Sequence, residues 1–276
     1  MNELLKRHWW RHKLYASALS VVPLSEKRMS RKLDSLNLFF VLSTGRAGTK
    51  WVSEVLSLVD RAQIVHEPIP MEVHAHMDAI YDAVKAENYV KSVKRKDIFF
   101  RVLRHDCDIY GEINGNIRRH IPFLKSYFPK AKFLHLVRDG RNVVRSILAR
   151  NTFKGNHPVF GSDCPIPSKE LRRKWGTMSE FEKACWAWKE ENENMRTQIT
   201  NLARLEDITS SYKAFKVQVL DPLGLSLSEP KWLMYADKKV NESKNNRTRL
   251  DEEWTEEQNK IFESICGEEM KALGYH

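Results

Sequence analysis

The stretch Leu36-Asn37-Leu38-Phe39-Phe40-Val41-Leu42 is apolar at every position but one, and it runs into Ser43-Thr44-Gly45-Arg46-Ala47-Gly48-Thr49-Lys50. Apolar residues then return at a different spacing. Trp51, Val55 and Val59, with Val52 and Leu56, fall on one face of a helix. An unbroken apolar run suits a strand buried on both faces, which belongs in a parallel sheet covered by helices. A strand that turns through two glycines into a helix gathers backbone N–H groups and the positive helix end at one point, a cradle for an anion. The Gly-Lys-Ser/Thr of an ATP-binding P-loop is absent; Arg46 stands in the turn instead, adding a permanent charge and a planar donor fork.

Further apolar runs predict strands over 97–105 and 132–139 and a weaker one over 201–207. Helical spacing links Val143 with Ile147 and Val144 with Leu148, and marks a long helix through Phe181, Cys185, Trp188, Met195 and Ile199. A last helix opens at Thr255, where Thr-Glu-Glu-Gln forms a capping box, and buries Ile261, Phe262, Ile265 and Met270. Strands alternating with helices define an α/β chain with helices on both faces of a parallel sheet. The expected organisation is a basic N-terminal segment, 1–35, and one domain, 36–276. Residues 151–178, rich in proline and glycine and without period, read as a lid or acceptor loop. A second polar, basic loop spans 237–252.

Charge sharpens the division. Of a net +10, residues 1–32 contribute +6, from eight Lys/Arg against two Glu, so the rest of the chain carries only +4. That distribution argues against a nucleic-acid-binding protein, whose positive charge would spread along one face. The apolar run Leu14 to Leu24 is shorter than the ~20 residues of a membrane helix. A basic start before a short apolar run also fits a secretory signal, but Arg138–Val143 and Ala187–Asn194 look like stretches of a nucleotide-handling enzyme of the cytosol. Cys107, Cys164, Cys185 and Cys266 are scattered without zinc spacing and are expected to be buried free thiols.

A second basic turn follows the strand at 132–139. In Val137-Arg138-Asp139-Gly140-Arg141-Asn142-Val143-Val144-Arg145-Ser146, Arg138 leaves a strand end and Ser146 lies two turns along the next helix. Both can reach one phosphate in the crevice. Each motif alone also has a plain reading: a tight turn with an exposed arginine, or a surface arginine and a helix serine.

Together the motifs resemble those of sulfotransferases that use 3′-phosphoadenosine 5′-phosphosulfate (PAPS), and the resemblance extends over about residues 36–275. Ser43 to Trp51 is similar to that family's 5′-phosphosulfate loop, and Val137 to Leu148 to its 3′-phosphate motif. The arginine in the loop is like that of the bacterial and carbohydrate-type branches. The resemblance implies a P-loop-like three-layer fold with a central parallel sheet flanked by helices. It implies that Gly45, Arg46, Ala47, Gly48, Thr49 and Lys50 bind the 5′-phosphate, and that Arg138 and Ser146 bind the 3′-phosphate. Arg46 would face the bridging oxygen that becomes charged as sulfur leaves, and Arg247 would close over the 3′-phosphate from the 237–252 loop. Trp51 either stacks on adenine, as in the cytosolic branch, or belongs to the core. Two positions depart from the pattern: Lys50 stands where the family has Thr or Ser, and Leu205 replaces the aromatic of its Tyr-Glu-Asp.

Two bases remain open. Glu67, in Ile64-Val65-His66-Glu67-Pro68, matches the glutamate-using branches; His105 matches the histidine-using one and otherwise positions the acceptor. The arginine loop favours Glu67, with His66 and Arg104 as neighbours. The expected reaction moves the sulfuryl group of PAPS to a hydroxyl or amine of a small-molecule or carbohydrate acceptor, leaving adenosine 3′,5′-bisphosphate. No metal is expected, because Arg46 and Lys50 supply positive charge, and neither nucleic acid nor a transmembrane segment enters. Phe153, His157, Phe160, Arg172, Arg173 and Trp175 are candidate acceptor contacts. The rival enzyme class is a P-loop-type, ATP-dependent small-molecule kinase.

Overall fold

The computed structural model describes residues 3–154, 164–236 and 253–276. Its centre is a five-stranded, all-parallel sheet in the order β2-β3-β1-β4-β5. The strands are β1 (Asn37–Leu42), β2 (Ala62–His66), β3 (Ile109–Ile113), β4 (Lys132–Val137) and β5 (Leu202–Arg204). The apolar run that opens the sequence is β1, and both of its faces are buried. Phe39 and Val41 enter a cluster with Trp51, Val52 and Leu56, while Leu38, Phe40 and Leu42 enter another with Ile98, Phe99 and Ile121. A strand sealed on both sides has no polar positions to show, which is why it is written without alternation.

Helix α1 (Glu3–Val21) and α2 (Glu26–Asp34) precede the sheet. Met29 and Leu33 of α2 share the core cluster of Leu38 and Phe40. After β1 comes α3 (Thr49–Leu56); after β2 come α4 (Val73–Tyr81), α5 (Ala83–Tyr89) and, beyond a π-helical turn at Val90–Lys94, α6 (Arg95–Arg104). Helix α7 (Ile121–Tyr127) leads to β4, and α8 (Gly140–Leu148) leaves it. Helix α9 is Lys169–Lys174, α10 is Glu180–Arg196 and α11, directly after β5, is Leu205–Ser210. The C-terminal helix Glu256–Ala272 packs with α8 and α10 around Val143, Trp188, Phe262 and Met270. Its capping box is formed as expected, with Gln258 N–H donating to Thr255 Oγ1 at 3.2 Å and Thr255 N–H to Gln258 Oε1 at 3.0 Å. Phe262 and Met270 are buried, whereas Ile261 and Ile265 are half-buried at the cluster's edge. All four cysteines are buried and unbridged.

Residues 97–104 lie in α6, not in a strand, and His105 is its C-cap. Ile98, Phe99 and Val102 point inward at helical spacing, Leu103 is exposed, and Arg101 Nε donates to Asp97 Oδ2 four residues back at 2.8 Å. An apolar run of this length fits either element, and the i, i+4 ion pair belongs to the helix. Strands β2 and β3 have no counterpart in the sequence reading, and β5 ends at Arg204 because Leu205 starts α11. The predicted loop 151–178 contains α9, and residues 155–163 of it lie outside the described residues.

This order positions the site. The chain leaves β1 toward β2 on one side, whereas β4 lies on the other side and continues outward to β5. The connections diverge between β1 and β4, and such a divergence opens a crevice at the C-terminal strand ends.

Candidate active site

Both basic turns empty into that crevice. At the end of β1 the backbone enters the left-handed region three times, at Gly45 (φ 81°), Arg46 (φ 59°) and Gly48 (φ 81°). Only glycine does so without steric cost; the arginine pays roughly 1–2 kcal/mol for its place. Ser43 Oγ accepts the Gly45 N–H at 3.1 Å, and the Ala47 methyl is sunk in the core, so the tip is held at both ends. Gly48 is the N-cap of α3 and brings no side-chain cap. The first-turn amides of α3 have no acceptor within the helix, and with the helix dipole they favour an anion. Gly48 also lies against Leu205, whose side chain fills the space a Cβ at this position would need.

The second turn closes on the first. Arg46 Nε donates to Ser146 Oγ at 2.9 Å, and Arg138 Nη1 donates to the Arg46 carbonyl at 3.3 Å. Ser146 is buried two turns into α8, whose start is capped by Asp139 accepting the Arg141 N–H at 2.8 Å. Burial lowers the Arg46 pKa; Arg150 and Arg138 lower it further, and Glu67 opposes them. Three guanidinium groups around one loop repel one another, and an anion of high charge relieves that repulsion.

Glu67 follows β2, two strands from β1 and thus roughly 10 Å away at the level of the sheet. Helix α3 bridges the gap: His66 Nε2 and Thr49 Oγ1 are hydrogen-bonded at 3.0 Å. Glu67 has φ 44°, an unusual value for a residue with a side chain, and its N–H donates to Ile113 O at 3.2 Å. The carboxylate is exposed, and its charge reaches both Arg46 and Arg118.

Arg118 has no counterpart in the sequence reading. Its side chain is 11% exposed, with Nε donating to Glu191 Oε2 at 2.7 Å, Nη2 to His76 Nε2 at 3.0 Å, and Nη1 to the carbonyl of Gly115. Gly115 in turn packs beside Ser43 and Gly45. Burial, and then the charges of Arg118, Arg119 and His120, hold the His76 pKa well below its ordinary value, so its Nε2 accepts as a neutral imidazole. Arg150, whose charge also lowers the Arg46 pKa, has no counterpart in the sequence reading either.

Other expected residues fall elsewhere. His105 caps the C-terminal end of α6, exposed, four residues before β3; Asn37 N–H bonds the carbonyl of Asp108 at that edge. The base candidate on this segment therefore sits at the N-terminal edge of the sheet, about 20 Å along β1 from the crevice. The reason is the helix at 95–104: a strand there would have ended at the other edge. Arg104 is exposed beside it. Lys50 is exposed, its ammonium 3.9 Å from Glu54 Oε1 one turn along α3. Trp51 is 5% exposed, edge-on to Phe215, with Nε1–H donating to Tyr235 O at 2.8 Å. Its ring is part of the core, not an open stacking face. Phe153 and Trp175 pack edge to face within the third cluster, and Arg172 lies over the Tyr81 ring. Arg247, His157 and Phe160 lie outside the described residues.

No protein-family model matches the sequence, and no curated protein matches it significantly. Solved structures do match in fold. The sulfotransferase STF9 from Mycobacterium avium superposes with a TM-score of 0.54 at 12% identity, over 99% of this chain and 83% of that one. The sulfotransferase domain from the curacin biosynthetic pathway superposes with a TM-score of 0.52 at 12% identity, over 87% of this chain and 98% of that one. The chain has the P-loop-like α/β fold of these enzymes, a central parallel sheet flanked by helices.

Proposed function

We propose that the chain is a sulfotransferase that moves the sulfuryl group of PAPS to a hydroxyl or amine of a small-molecule or carbohydrate acceptor. The observation that carries this reading is the junction of the two basic turns, Arg46 Nε to Ser146 Oγ and Arg138 Nη1 to Arg46 O. It joins a loop suited to a 5′-phosphosulfate with a pair suited to a 3′-phosphate. In the proposed reaction the acceptor oxygen or nitrogen attacks sulfur in line. The sulfur–oxygen bond to the 5′-phosphate breaks, and the electron pair stays on the bridging oxygen of adenosine 3′,5′-bisphosphate. Glu67 takes the acceptor proton. Arg46 and the first-turn amides of α3 stabilise the oxygen that gains charge. Positioning and electrostatics supply most of the rate, as in phosphoryl transfer.

Nucleotide selectivity tests the donor. Removing the 3′-phosphate forfeits charged hydrogen bonds to Arg138 and Ser146, about 1.5–3 kcal/mol or roughly 10–150-fold in affinity. Adenosine 3′,5′-bisphosphate should therefore raise the melting temperature clearly above adenosine 5′-phosphate or ATP–Mg²⁺ at equal concentration. Equal shifts from the two adenosine nucleotides would sink the donor assignment.

Arg46 separates binding from chemistry. Its contribution should grow as the bridging oxygen becomes negative, so Arg46→Ala should lower kcat by ~10²–10³-fold and change the KM for PAPS much less. Steady-state kinetics decide the point: a variant altered only in KM would make Arg46 an anchor.

A further inference from the structure

We propose that the outward face of α1 docks the protein on a membrane surface rich in anionic lipid. The inward face fixes how the helix is turned. His12 is buried, with Nδ1 bonded to Pro70 O at 3.1 Å, and the Tyr15 hydroxyl donates to Asp97. Lys96 Nζ donates to the carbonyls of Leu19, Ser20 and Val22, which pins the C-terminal end of α1 to α6.

With that face committed, Trp10, Leu14, Ala18 and Val21 fall on the opposite, exposed face of the helix. They follow one another at spacings of four, four and three, an arc of about 80° at 100° per residue. Trp10 is 58% exposed, Leu14 62% and Val21 77%, an apolar stripe along most of the helix. Exposed Arg11 and Lys13 flank the stripe on opposite sides, and α2 adds exposed Lys27, Arg28 and Arg31 nearby in the chain. Of the two acids in residues 1–32, Glu26 is paired with Arg95 at 2.8 Å.

An apolar stripe bordered on both sides by one sign of charge matches the interface of an anionic bilayer. The apolar side chains enter the acyl boundary, tryptophan sits at headgroup level and the cations meet lipid phosphate. Among the described residues no helix is long and apolar enough to cross a membrane, so this is attachment to a surface. The inference does not depend on the proposed reaction.

Vesicle sedimentation of the full chain tests it. The protein should pellet with phosphatidylcholine vesicles that contain phosphatidylserine, far less with phosphatidylcholine alone, and less again as salt is raised. Leu14→Asp/Val21→Asp should cut binding by about tenfold or more at an unchanged melting temperature, since both side chains are exposed. Arg11→Glu should weaken only the phosphatidylserine-dependent part. Three outcomes would each overturn the proposal: no pelleting at low salt, pelleting indifferent to phosphatidylserine, or wild-type binding by the double variant. The first would leave the stripe to a protein partner.

Discussion

Glu67→Gln should lower turnover by ~10²–10⁴-fold, the usual contribution of a positioned general base, and leave the affinity for adenosine 3′,5′-bisphosphate near that of the unaltered protein. Glutamine keeps the size of the side chain, and the left-handed backbone at residue 67 strains both residues alike. What it loses is the ability to take a proton. The matching control is His105→Ala, which should be nearly silent, because residue 105 is exposed at the opposite edge of the sheet. Single-turnover rates with saturating PAPS would measure both. An active Glu67→Gln beside a dead His105→Ala would reverse the assignment of the base and leave the donor assignment standing.

Lys94→Met should cost about 3–5 kcal/mol of stability, a large part of the 5–15 kcal/mol that holds a typical domain together. Lys94 is fully buried in the π-helical turn, with Nζ 2.5 Å from Glu72 Oε1 and 2.7 Å from Glu112 Oε1. Both carboxylates are buried as well; Asn114 Nδ2 donates to each at 2.6 Å, and the Tyr89 hydroxyl to Glu72 at 2.5 Å. Burial works against the Lys94 charge, but Glu112 and Glu72 outweigh it and raise its pKa above the ordinary value. Burial also raises the Glu112 pKa, and Lys94 opposes that rise. Methionine fills the volume and leaves two carboxylates facing each other without a cation. The folded variant then holds its protons more tightly than the unfolded chain, so its stability falls as pH rises and the deficit shrinks on acidification. Urea denaturation at neutral and mildly acidic pH would read this. A loss below ~1 kcal/mol at neutral pH would show that the network contributes no net stability.

The same network explains why part of the sheet was invisible in the sequence. Strand β3 carries Gly111 and Glu112 at its centre, and neither belongs in an apolar run. Gly111 is there because the Phe39 ring of β1 occupies the space a Cβ would need. Glu112 is there because Lys94 meets it from 18 residues away. Strand β1 was legible because apolar partners cover it on both sides, and the turns after β1 and β4 because their chemistry is local: glycines, arginines and a helix start within a few residues. Arg118, His76 and Glu191 had no such signature. They meet only through the tertiary fold, from elements 42 and 73 residues apart. Residues 97–105 misled for the opposite reason, since an apolar run alone does not fix the period.

The braces on α1 bear on how the protein can be cut or joined to other things. His12 holds the carbonyl of Pro70; Tyr15 holds Asp97, which pairs with Arg101, whose Nη2 donates to the carbonyl of Pro68 at 3.2 Å. Two routes thus run from the first helix to the few residues beside Glu67, one direct and one through α6. A chain trimmed to begin at β1 loses the His12 support outright and strips the second route of its Tyr15 brace, leaving Arg101 and Asp97 alone to hold the Pro68 carbonyl. A bulky fusion that pries α1 away does the same without removing a residue. In the proposed reaction, donor capture and proton removal would thus be anchored to different parts of the molecule, the far anchor of the second lying among the first twenty residues.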